Sequence, residues 1–357
     1  MKKTTVTMTV SLFLVVLFLA AGCSFPAKGN GEAEAQARAS LVDAEGYTQV
    51  EVLAVLEGDP LQDPAGVAVT AQGEILVSDR ARHQIYRFSP DGKLVGQIGS
   101  LGAEPGQFNQ PGALSLDGKG NIYVADIGNN RVQVLDPQGR FLRQVGSREE
   151  FSPFFSLEDG FDIPLAGVAA DREGNIYLAL KGAYYDISEN ELRKYSPEGK
   201  LVMKLSSMLE GYYDLVPFTW PGAVTVDSKG TIYLVHGANG VGKVIKIPQE
   251  QNAPVADETL QFGNLGKGKG ELMHTPMGVA VDQEGNIYVA DTHNNRIQVF
   301  DPRGEWLLMF RLAGTSFGEL TEPGNLTFDG EGNLYLVDRG NARVLKIVNP
   351  VRHGSVG

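Results

Sequence analysis

The chain has 357 residues and a formal net charge of -12. That charge argues against nucleic acid as a partner, because phosphate binding needs a concentrated basic surface. Cys23 is the only cysteine, so the chain has no internal disulfide framework.

The first residues read as an export signal. Lys2 and Lys3 precede an apolar run over 10–21, too short for a comfortable membrane span of about 20 residues. The stretch Leu19-Ala20-Ala21-Gly22-Cys23 resembles a bacterial lipobox. That resemblance implies a lipid on Cys23, cleavage just before it, and an exported, extracytoplasmic protein anchored to a bacterial membrane. Residues 24–46 are rich in Gly, Ala, Glu and Gln and poor in aromatics, the composition of a flexible tether. The expected organisation is a signal peptide over 1–22, lipidated Cys and tether over 23–46, a folded domain over 47–348 and a tail over 349–357.

From Pro64 onward the chain is an array. A unit read most cleanly from Pro276 to Gly304 recurs six times, starting at Pro64, Pro111, Pro164, Pro221, Pro276 and Pro323. The shared turn glycines Gly73, Gly120, Gly174, Gly230, Gly285 and Gly332 are 47, 54, 56, 55 and 47 residues apart. Periods of that size mean propeller blades or solenoid turns. In the second copy, the apolar run from Gly112 to Leu116 meets a turn at Asp117-Gly118-Lys119-Gly120-Asn121. Next comes Ile122-Tyr123-Val124-Ala125, apolar at both parities, as suits a strand covered on both faces. A turn at 126–130, a strand at 131–135, a turn at 136–139 and a strand at 140–145 complete the unit. No stretch of period 3.6 and helical length lies inside the repeats, so each is a blade of four antiparallel strands. The last copy lacks a fourth strand, and residues 47–56 read as the missing one, which would close the ring.

The phrases GVAVDQEGNIYVADTHNNRIQVFDPRG and ALSLDGKGNIYVADIGNNRVQVLDPQG resemble NHL repeats, and the resemblance implies an all-β, six-bladed β-propeller. Copies three and four depart from it. They carry Leu180 and His236 where Asp126 and Asp291 stand, and KGAYYDISENE and GANGVGK where the Asn-Asn-Arg turn stands.

In propellers the loops between blades and those between second and third strands share one face, the top, where a rigid scaffold positions function. Sorting by that rule places His83, His236 and His293 in second-to-third-strand loops and His274 in the connection into blade five. Convergent imidazoles could hold zinc with an open position. The NHL resemblance extends to lyases such as peptidyl-amidoglycolate lyase, which use top-face histidines and metal. Against this, His83 and His293 sit at or beside turn asparagines that cap backbone, and no H-x-x-x-H spacing accompanies them. Calcium is the other candidate ion, suggested by the recurring Asp79, Asp126, Asp291 and Asp338. An Asp ending a strand before a Gly/Asn turn, however, ordinarily accepts backbone N–H groups. Arg131, Arg296 and Arg343 recur in register as braces.

The non-consensus segments around blade three, 147–163, 181–191 and 206–220, hold ten of the chain's thirty Phe, Trp and Tyr residues. They also carry ten Asp or Glu against Arg148 and Lys181. Exposed aromatics among charges mark binding sites, whereas the bland alternative is a loop mini-core. Tyr184, Tyr185, Asp186, Tyr212, Tyr213, Asp214 and Trp220 are the candidate ligand-binding set. The leading expectation is a membrane-anchored propeller, without cofactor, that binds a protein, peptide or glycan on its top face. The alternatives are a metal-dependent lyase or lactonase-like hydrolase, and a sensor module of a membrane complex.

Overall fold

The computed structural model describes residues 48, 50–56, 61–151, 165–181, 190–206, 220–238, 241–250, 253–254, 259–312, 318–349 and 351. These all lie in the compact unit Leu41–Gly357. They form six four-stranded antiparallel sheets, each a blade. Inner strands are Pro64–Val69, Pro111–Leu116, Leu165–Ala170, Pro221–Val226, Gly278–Val281 and Pro323–Phe328. Among the described residues, no helix is long and apolar enough to cross a membrane.

The second strands explain why the blades stack. Ile75–Asp79, Ile122–Asp126, Ile176–Leu180, Ile287–Asp291 and Leu334–Asp338 are buried at every position, as their two-sided apolar sequences require. Six hydrophobic clusters result, one at each seam between neighbouring blades. The seam between blades six and one packs Tyr335, Val337 and Val344 against Val67, Ile75, Val77 and Tyr86. Burying such side chains stabilises by about 1.5–3 kcal/mol each.

A tyrosine at the second position of the second strand ties the first turn to that strand in blades two, three and four. Tyr123, Tyr177 and Tyr233 are buried, and their hydroxyls hydrogen-bond Asp117, Asp171 and Asp227, each at 3.1 Å. Burial, with the adjacent carboxylate second, pushes these phenols far above the usual tyrosine range. They therefore act as neutral donors. Blade one has Leu76 at this position and lacks the tie.

Val52–Leu56 is hydrogen-bonded beside Arg343–Ile347 as the outermost strand of the sixth sheet, with Leu56 opposite Val344 and Val55 opposite Leu345. Only five residues of the stretch 47–56 join that sheet. Upstream, the Thr48 N–H donates to Met309 O of blade five at 2.6 Å, so the incoming chain bridges two blades.

Blade four differs locally from the expected pattern. Its second strand runs on to Ala238 and its third starts at Val241, with Ala238 opposite Val241. His236, expected in a loop, is therefore in a strand and 3% exposed. The dipeptide Asn239-Gly240 between the paired residues is the sequence signal of a two-residue hairpin.

Candidate functional site

The top face is built on buried clamps. Asp126 accepts the Asn109 N–H at 2.8 Å, Arg131 Nε at 2.8 Å and Gln133 Nε2 at 3.0 Å. Arg131 in turn donates to Glu104 O and Gln107 O. Blade five repeats this: Asp291 accepts Met273 N–H, Asn294 Nδ2, Arg296 Nε and Gln298 Nε2. Arg296 there donates to Lys267 O, Gly268 O and Glu271 O. Asp338 and Arg343 pair likewise at 2.7 Å. The recurring Asp and Arg thus spend their bonds fixing the chain that enters the blade. In blade three, Glu191 and Arg193 replace the clamp and pair at 2.5 Å, and Tyr195 donates to Glu150 Oε1 at 2.7 Å. They hold the one-turn helix Arg148–Phe151, whose Phe151 is buried in the seam with blade two.

Held on this frame is a set of exposed residues that sequence reasoning missed as a group. Gln110, Trp220 and Glu322 each stand immediately before an inner-strand proline, with φ of 53°, 50° and 47°. His274, two residues before Pro276, has φ of 54°. A residue before proline is ordinarily extended, and non-glycine residues seldom adopt φ above zero. The sequence therefore gave no sign of a shared left-handed backbone. Its consequence is four unlike side chains, all exposed, presented from one backbone geometry at the top of blades two, four, five and six.

The turn of the preceding blade holds two of these positions. The Gln110 N–H donates to His83 Nδ1 at 3.0 Å, and the Glu322 N–H donates to Asn295 Oδ1 at 2.9 Å. At the seam between blades six and one, Asp63 is bound by Arg339 at 2.8 Å and Arg80 at 2.9 Å. Burial pushes Asp63 up, but Arg339 and Arg80 outweigh it and hold its carboxyl below the usual range. Burial lowers the Lys181 ammonium at the edge of blade three. The axial channel, about 290 Å³, is lined by the later residues of all six inner strands, among them Ser115, Thr225, Asn325 and Thr327.

Of the four candidate histidines, the structure brings together two. His274 and His293 are exposed, with ring centroids 4.7 Å apart and planes at 46°. His83 caps Gln110, and His236 lies 2.9 Å from Gln261 Nε2 inside blade four. Among the described residues, no three His, Cys, Asp or Glu side chains are placed to hold a metal ion. Of the aromatic set, Trp220 is described and exposed. Tyr184, Tyr185, Asp186, Tyr212, Tyr213 and Asp214 lie outside the described residues, as does Cys23.

Comparison with known proteins agrees with this architecture. A family model described as an NHL repeat matches residues 274–300, and one described as a 6-bladed beta-propeller matches residues 60–160. Human NHL repeat-containing protein 3 is 32% identical over 170 residues, covering 46% of this chain and 46% of that protein. The rat E3 ubiquitin-protein ligase TRIM71 is 43% identical over 76 residues, or 21% of this chain and 9% of its own length. The matches thus span under half the length of these relatives. Among solved structures, a gluconolactonase from Xanthomonas campestris superposes with a TM-score of 0.58 at 15% identity, over 81% of this chain and 87% of that one. Virginiamycin B lyase from Staphylococcus aureus gives 0.51 at 15% identity, over 84% and 99%. At such identities the likeness is one of fold.

Proposed function

We propose, for a chain that is an NHL-repeat six-bladed β-propeller, that it is a lipid-anchored extracytoplasmic module binding a protein, peptide or glycan on its top face. The observation that carries the reading is the left-handed set Gln110, Trp220, His274 and Glu322. An amide, an indole, an imidazole and a carboxylate are exposed from backbones of like φ, three of them beside a residue that a buried Asp clamp holds. A conformation costing about 1 kcal/mol or more per residue is retained where the surroundings over-determine it. Trp220 stands immediately before the inner strand of blade four and is exposed, and an exposed indole is the side chain most suited to anchor a sugar ring or a cationic group. The charge of -12 favours cationic or neutral ligands over anionic ones.

A lyase or lactonase-like reading would need a third ligand beside His274 and His293. The binding reading needs none. Its test compares wild type with Trp220→Ala and Glu322→Gln on glycan and cationic-peptide arrays, after matching their unfolding midpoints. Loss of one specific signal in both variants supports the top face, and an unchanged binding spectrum overturns it. The anchor has its own test. Wild type should partition into the detergent phase and Cys23→Ser into the aqueous phase, whereas identical partitioning would remove the membrane from the proposal.

A further inference from the structure

His274 and His293 reach the same spot from different segments, one from the connection into blade five and the other from the turn Thr292–Asn294. Both rings are exposed, and neither is hydrogen-bonded among the described residues. Their tilted contact at 4.7 Å and 46° is close enough for two imidazoles to share one ion. Metal–nitrogen bonds of about 2.0–2.1 Å put each ring centre about 3.2 Å from the metal, so adjacent ligands have centroids about 4.5–5.2 Å apart. The backbone of Met277 stands on the same seam. The Met277 N–H donates to Thr292 Oγ1 at 3.2 Å, beside His293, and Met277 is 41% exposed. An apolar side chain of that size gains nothing from water, and thioether sulfur is a soft ligand that suits copper.

We propose that His274, His293 and Met277 form a copper-binding site at the top of blade five. The imidazoles are the principal ligands of Cu(II), and the thioether adds to them for Cu(I). The site stands apart from the clamps, because Asp291 and Arg296 have their bonds committed to the entering chain. It shares His274 with the left-handed set on the top face, and the copper titration reads it without Trp220 or Glu322. It departs from the four-histidine grouping, since His83 and His236 have other partners.

The test titrates the full chain, free of any histidine tag, with Cu(II) and separately with Cu(I), each against a competing chromophoric chelator. One equivalent should bind, with nitrogen hyperfine structure in the Cu(II) spectrum. His274→Ala and His293→Ala should each weaken Cu(II) at least about tenfold, the scale of losses seen when a metal site is disturbed. Met277→Leu should weaken Cu(I) about as much while leaving Cu(II) nearly unchanged, and His83→Asn should change neither. Circular dichroism confirms that each variant is folded. Full stoichiometric binding by the His274→Ala/His293→Ala double variant, or no saturable binding by wild type, overturns the site. Unaltered Cu(I) affinity in Met277→Leu overturns the thioether's part.

Discussion

His83 Nδ1 accepts the backbone N–H of Gln110, and Asn295 Oδ1 does the same for Glu322 four blades later in the chain. A histidine thus stands in for an asparagine as a backbone cap, with φ of 57° against 52° for Asn295. His83→Asn should preserve stability, because asparagine tolerates the left-handed region and supplies the same acceptor. His83→Ala should lose about 0.5–1.5 kcal/mol in urea unfolding, the usual net worth of one hydrogen bond. Equal losses for both variants would mean that ring packing, and not the cap, is what matters at this position.

Asp291 and Arg296 are 0% and 1% exposed and pair at 2.8 Å. Removing one partner leaves a buried charge, so Asp291→Ala should cost about 3–5 kcal/mol. The double variant Asp291→Leu/Arg296→Met should cost clearly less than the two single changes added together. Denaturant midpoints of the four proteins check the cycle, and simple additivity would show that the pair is not coupled.

Asp63 gives a pH dependence. Its pKa is lowered in the folded state from an ordinary 3.8, so its contribution is present above that value and is lost as pH falls through the folded pKa. At neutral pH, Asp63→Asn should be less stable than wild type by under about 1 kcal/mol, since the carboxylate is partly exposed and screened. The two should converge well below pH 3.8. Thermal melts at several pH values check it, and a gap that persists in acid would point to shape instead of charge.

Deleting residues 47–56 should leave Arg343–Ile347 with an open edge, lowering the melting temperature or causing aggregation. Deleting residues 24–45 should change neither. Scanning calorimetry and light scattering on the two truncations read the outcome, and equal melting temperatures would deny the N-terminal strand a part in stability.

The blade count, strand order and clamp residues were legible in the sequence because each depends on a repeated local signal, the turn glycine in six copies and the Asp–Arg pair in three. Asp126 and Arg131 are five residues apart, and their role as backbone braces follows from a turn chemistry visible in one copy. His236 was misplaced because the repeat put a turn there, while the local dipeptide Asn239-Gly240 carried the better signal. The shared backbone of Gln110, Trp220, His274 and Glu322 was hidden for a different reason. Their side chains have nothing in common, and the proline that follows three of them argues for extended geometry. The meeting of His274 with His293 was only partly visible, since a shared face says nothing about which side chains touch.

The pairing of Val52–Leu56 with Arg343–Ile347 also dictates an order of assembly. Blades one to five can each form from contiguous hairpins as the chain emerges, but the last seam must wait for the final strand. Asp63 and Arg339, which meet there, are 276 residues apart in sequence. The entropic cost of such a closure grows only slowly with length, so the delay is a matter of time more than of equilibrium. Until the last strand arrives, the first one and the flank of blade one are exposed together, and this interval is the molecule's most aggregation-prone stage. Moving the chain ends to the turn at Gly230 would only move this step, because Pro221–Val226 and Ile232–Ala238, now neighbours across one hairpin, would become the two strands that must find each other last.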